Sequence, residues 1–290
     1  GTANLAAMGT AQIAAIETAD IGALSTAQIG GMTTAQVAAF NTNQVAVLSY
    51  KQIAALTTGQ ASALGTAQVV AMNSAQIGSL ETADLAAMGT AQIAAIETAD
   101  ISGLTTAQVK ALTTGQAGAL TTAQVVALSS LQIGGLSTAN LTAMSTAQIA
   151  AIETADIAAL TTAQIGGMTT AQVAAFNTNQ VAVLSYKQIA SLTTGQARAL
   201  GTAQVVALSS DQIRSLETRD LAAMGTAQIA AIETADIGGL TTAQIGALTT
   251  SQVAGLTTSQ LSVLTTTQVH ALTSAQVGAL STTQIQYLNF

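Results

Sequence analysis

The sequence divides without a gap into eight-residue units from Gly1 onward: GTANLAAM, GTAQIAAI, ETADIGAL, STAQIGGM, TTAQVAAF, NTNQVAVL and SYKQIAAL lead the series. Thirty-six such octads fill residues 1–288 and leave Asn289 and Phe290. Asn289 has the character of a first position, so the array is expected to continue past this end. A fixed short period confines a chain to architectures built of stacked, equivalent steps. Burying the two sizeable aliphatics of one octad yields roughly 3 to 6 kcal/mol, whereas ordering costs about 1 to 2 kcal/mol per residue. No octad can therefore stand alone, and stability has to come from neighbours, as in a one-dimensional solenoid.

The residue types within the octad predict what each step is. Position one is Ser, Thr, Asn, Gly or Glu, and all but Glu are favoured at a helix N-cap. Position four is Gln, Asp or Asn in every octad, the place from which a side chain folds back onto the cap N–H in a capping box. The residue before the cap is always Leu, Met, Ile or Phe, and position five is Ile, Val or Leu, with Ala only at Ala61, Ala117 and Ala197. These are the two places of a hydrophobic staple.

One continuous helix does not fit, because apolar residues alternately three and five apart average about 4.0 per turn against 3.6 and would wind around the cylinder. The helix must break at each cap. The alternative, a β-solenoid, calls for period-two alternation and β-branched or aromatic residues, whereas T-A-Q-I-A-A-L is rich in helix-favouring Ala and Gln. The fold class expected is all-α, a solenoid of very short capped helices with one per repeat. Small residues at positions six and seven, as in Gly30-Gly31 and Gly238-Gly239, would let successive helices approach closely. In the octads TTGQASAL, TTGQAGAL and TTGQARAL, Gly at position three accompanies Ala at five, which predicts locally thinner packing and a bend.

A longer duplication overlies the octads. NTNQVAVLSYKQIA begins at Asn41 and again at Asn177, and GTAQIAAIETAD at Gly89 and again at Gly225, so the offset is 136 residues in both cases. That is an odd, prime number of octads, and the copies cannot share a register if a turn holds two, three or four octads. Octads are therefore expected to be structurally interchangeable, and residues 1–290 to form a single continuous octapeptide-repeat solenoid without an internal domain boundary.

Composition removes whole classes of function. There is no Cys, Pro or Trp and a single His, His270, which excludes disulfides, thiolate chemistry and Cys-based metal sites. The formal charge is -7 with six scattered Lys and Arg, so no basic patch is offered to nucleic acid. Polar pairs interrupt the apolar residues in nearly every octad, which predicts a soluble chain with no membrane span. The first octad is already a repeat without a basic or apolar leader, so a targeting segment would lie elsewhere or have been removed.

Candidate chemistry is sparse. All six Glu stand at position one and each is followed three residues later by Asp. Two carboxylates could contribute oxygens to Ca²⁺, but acidic residues also suit a helix N-terminus, where the dipole favours negative charge. If a turn held two octads, Glu81 would stack on Glu97 and Glu217 on Glu233, giving weak cation candidates of Glu81, Asp84, Glu97, Asp100, Glu217, Asp220, Glu233 and Asp236. No nucleophile beside a base can be singled out, and neither an enzyme nor a cofactor is expected. His270 at position six reads as a surface substitution, and Tyr50-Lys51 and Tyr186-Lys187 as solvent-facing variation or a local recognition spot. Thr at position two (Thr10, Thr18, Thr26, Thr34) is helix-start chemistry unless it forms a flat ladder of methyl and hydroxyl groups able to bind ice or carbohydrate.

Units such as STAQIGGM and TTAQVAAF, taken over the whole chain, resemble the Ala/Thr/Gln-rich tandem repeats of very large bacterial surface proteins of the adhesin or so-called haem-utilisation type. The resemblance implies secretion and a place at the cell surface, with self-association or other surface components as partners. It brings no haem ligand, since His270 is unrepeated and Met8, Met32 and Met88 fall at the apolar position. The function expected is that of an extracellular stalk, spacer or fibre-forming scaffold. The alternative is a binding module, for ice or carbohydrate through Thr or for Ca²⁺ through the Glu/Asp octads.

Overall fold

The structure, a computed structural model, describes all 290 residues. It is all-helical, with one short helix of four to six residues in each octad except the octad 97–104, where a 3-10 turn, Ile101–Gly103, takes its place. The one-helix-per-repeat expectation is met, and the β-solenoid alternative is overturned, because no strand forms. The reason lies in local signals repeated in every octad that has Gln at position four, whereas the octads with Asp20, Asp84, Asn140, Asp156, Asp220 or Asp236 there have no capping box. In the helix Thr34–Ala38 the Thr33 hydroxyl accepts from the Gln36 N–H while the Gln36 side chain accepts from the Thr33 N–H, a closed capping box.

The helices end without left-handed residues. No residue in the chain has positive φ, so Gly is not needed at any helix terminus. The Leu64 backbone sits at φ -59, ψ 134 and Gly65 at φ -75, ψ 157, two extended residues that carry the chain from one helix into the next. The position-eight N–H closes back onto the position-five carbonyl, as Leu64 does onto Ala61 at 3.3 Å. This connection uses no Pro and no turn dipeptide, which is how a chain lacking Pro can break its helix at every eighth residue.

Two compact units are found, Gly1–Ile152 and Glu153–Phe290, each a solenoid-like stack. In the first, helix packs on helix three octads later: Thr34–Ala38 on Thr58–Ala63, and Thr58–Ala63 on Thr82–Ala87. The second repeats the rule, with Tyr186–Ala190 on Ser210–Ser215 and Thr194–Ala199 on Thr218–Ala223. Positions four, five and eight face inward: Gln60, Ala61 and Leu64 are buried, as are Gln196, Ala197 and Leu200. Positions one to three stand in solvent.

The TTGQ octads are not thinly packed. The most extensive helix–helix contacts in the chain join Thr58–Ala63 to Thr82–Ala87, Thr114–Ala119 to Thr138–Ala143, and Thr194–Ala199 to Thr218–Ala223. Each core Ala (Ala61, Ala117, Ala197) is fully buried and is answered three octads later by Leu at position five (Leu85, Leu141, Leu221), also fully buried. Small against large restores core volume, so the substitution is compensated rather than cavity-forming.

Candidate functional site

The feature repeated most often is the side-chain amide at position four. Gln36 Oε1 accepts from its own cap, while its Nε2 donates to the carbonyls of Leu5 at 2.9 Å and Met8 at 2.8 Å. One side chain thus caps its own helix and ties it to the octad four steps earlier. The same bonds recur through the Gln octads of the first unit, interrupted at Asp84 and Asp100, to Gln148, which reaches Ala117 and Leu120. In the second they run from Gln188, on Ile157 and Leu160, to Gln284, on Ala254 and Leu256. Helices pack three octads apart and amides reach four octads back, so one turn of each stack takes between three and four octads.

Reading the octad as a local unit missed this ladder. A capping oxygen alone could come equally from Glu, yet position four holds Gln wherever it is not Asp or Asn, and never Glu. That preference was the available signal for a required N–H donor.

The acidic candidates do not converge. Glu81, Glu97, Glu217 and Glu233 point into solvent, while Asp84, Asp220 and Asp236 are buried and Asp100 is partly buried. The turn of two octads that would have stacked Glu81 on Glu97 and Glu217 on Glu233 is replaced by packing at three octads. Each of these aspartates instead accepts from a hydroxyl three octads earlier: Thr58 to Asp84 at 2.8 Å, Ser74 to Asp100 at 2.7 Å, Thr194 to Asp220 at 2.7 Å, and Ser210 to Asp236. No group of three or more acidic or His side chains is brought together around a point that could hold a metal ion. Arg219 pairs with Glu217 at 2.7 Å, with both side chains exposed.

The remaining candidates lie outside. His270 is exposed, and Lys51 and Lys187 each lie 5.9 Å from the ring centroid of the adjacent Tyr50 and Tyr186, which are also exposed. Thr10, Thr18, Thr26 and Thr34 are exposed, but packing at three octads brings Thr10–Ala14 against Thr34–Ala38 rather than stacking consecutive units. Two shallow open depressions occur, one bordered by Glu233, Thr234, Thr257 and Gln260, the other by His270, Leu272 and Phe290. No helix is long and apolar enough to cross a membrane.

No curated protein matches the sequence. The ALTTAQ repeat model matches nine overlapping segments that together cover residues 13–130 and 149–289. Its name spells the stretch from position seven of one octad through position four of the next, the stretch that contains the staple residue, the cap and the ladder amide. The chain is a tandem-repeat protein of the ALTTAQ repeat family.

Proposed function

We propose that this chain is a structural repeat region of a bacterial extracellular or cell-surface protein, acting as a stalk, spacer or fibre-forming scaffold. The observation that carries the reading is the Gln ladder. Its bonds recur step after step on buried carbonyls, as from Gln60 to Ile29 and Met32 and from Gln196 to Ile165 and Met168. Such bonding resists unravelling through most octads of each unit and depends on no single residue, which is what a segment under tension requires. The outward positions are mostly Thr, Ser, Gly and Ala, and only 7% of the whole chain is charged, which gives a surface of low mutual repulsion suited to self-association or to other surface components.

Two measurements test it. Protease treatment of intact cells carrying the native protein is expected to remove this region while cytoplasmic markers survive, and full protection would sink the surface assignment. Small-angle scattering on the chain is expected to report an elongated particle; a sphere-like particle would overturn the spacer role.

A further inference from the structure

Within the modules that pair a core Ala with Leu three octads later, position four of the Leu-bearing octad is a short side chain: Asp84, Asn140 and Asp220. The three copies differ in what that side chain can give. Asn140 Nδ2 donates to the Leu112 carbonyl at 3.0 Å. Leu112 stands in the same relation to Asn140 as Met8 does to Gln36. An aspartate has the shape of this Asn but carries an oxygen where the amide carries hydrogens.

At Asp84 and Asp220 one oxygen is satisfied by the hydroxyl of Thr58 or Thr194. The other, Oδ2, is buried with no hydrogen-bond partner in both copies, and the residues are only 3% and 0% exposed. Arg219 approaches Asp220 at Oδ1, 3.8 Å away, not at Oδ2, and Asp84 has Ala83 in place of that Arg. The carbonyls that correspond to Leu112 are Leu56 and Leu192, and an ionised carboxylate has no hydrogen to offer them. The capping box is likewise absent from both octads, so the Asp does not accept from the N–H of Glu81 or Glu217 as Gln36 does from Thr33. Asp Oδ2 is thus left a buried acceptor without a partner, and neither the Leu56 (or Leu192) carbonyl nor the Glu81 (or Glu217) N–H receives the bond that a glutamine amide makes in other octads.

We infer that Asp84 and Asp220 each hold one buried water molecule in that place. The water accepts from the Glu81 (or Glu217) N–H and donates to Asp Oδ2 and to the Leu56 (or Leu192) carbonyl. Three hydrogen bonds are the usual complement of a buried water, and a water combines donor and acceptor as the amide does. A metal cation would suit the two oxygens but would face the N–H, and no further carboxylate or imidazole stands by to complete its shell. The water thereby rejoins the octads 81–88 and 217–224 to the octads four steps earlier, where the direct rung is lost.

Water deuteron relaxation dispersion on the full chain, which counts long-lived internal waters, tests the assignment. Replacing both aspartates with the residue their neighbours use (Asp84→Gln with Asp220→Gln) is expected to remove two such waters while the helical circular dichroism is kept. Asn140→Asp is expected to add one, and it provides an independent reading should the double variant fold poorly. An unchanged count in folded Asn140→Asp would overturn the proposal. So would a melting temperature raised by millimolar Ca²⁺ in the parent chain but not in the double variant, since that result assigns the place to a cation.

Discussion

The amide of Gln36 donates to the carbonyl of Met8, 28 residues earlier, at 2.8 Å, while the same amide accepts from the cap of its own helix. A helix of five residues is far below the length at which an isolated helix becomes marginal in water. Local capping and long-range stacking are therefore joined in one group, and loss of that group costs both.

Gln124 offers the sharpest test, because its Nε2 reaches Ile93 at 3.0 Å and Ile96 at 2.7 Å in buried surroundings. Gln124→Glu keeps an oxygen for the Thr121 cap but sets a carboxylate against those two carbonyls. A cost of about 2 to 4 kcal/mol is expected, from acceptors left without donors and a charge left without a partner. Gln28 caps Ser25 and makes no such rung, so Gln28→Glu is expected to cost under about 0.5 kcal/mol. Urea unfolding of the two variants would show it; equal losses would mean that the ladder contributes no more than the caps.

Sequence periodicity carried the helix and, in the Gln octads, its capping box correctly, because each depends on residues within one octad. The number of octads per turn was not accessible from the same signals, since every octad carries nearly the same side chains and any register buries the same types. One clue did lie in the sequence. Ala61, Ala117 and Ala197 are each followed three octads later by Leu85, Leu141 and Leu221; reading those Ala residues in isolation as thin packing hid the compensation. The acidic residues of one octad are set apart for a simpler reason. The Glu at position one stands in water while the Asp at position four is turned toward a hydroxyl three octads earlier, as Asp84 is toward Thr58, so the two carboxylates of an octad are spent on different surroundings.

The compensated pairs predict energetic coupling. Ala61→Val forces extra volume into a fully buried position and is expected to cost about 1 to 3 kcal/mol. Leu85→Ala leaves a cavity and is expected to cost about 2 to 5 kcal/mol. Combined, the added methyls occupy part of the space vacated, so the double variant should be at least about 0.5 kcal/mol more stable than the sum of the single losses predicts. A double-mutant cycle by chemical denaturation checks this, and strict additivity would show that the two residues do not share their space.

Glycines divide by what surrounds them. A Cβ on Gly103 would collide with the backbone of Ser74, and one on Gly78 would lie 2.5 Å from the Gly103 carbonyl oxygen. Here main chains three octads apart approach too closely for any side chain. Gly103→Ala is accordingly expected to cost about 1 to 3 kcal/mol through forced separation of the two octads. Gly65 is a cap with room, where the nearest atom to an added Cβ is the flexible Gln68 side chain at 3.7 Å. Gly65→Ser supplies the hydroxyl that Ser25 already uses in the same role, and should gain a few tenths of a kcal/mol. Thermal melts of these two variants should move in opposite directions. If Gly103→Ala melts with the parent chain, the close approach of octads 73–80 and 97–104 is not a feature of the folded protein.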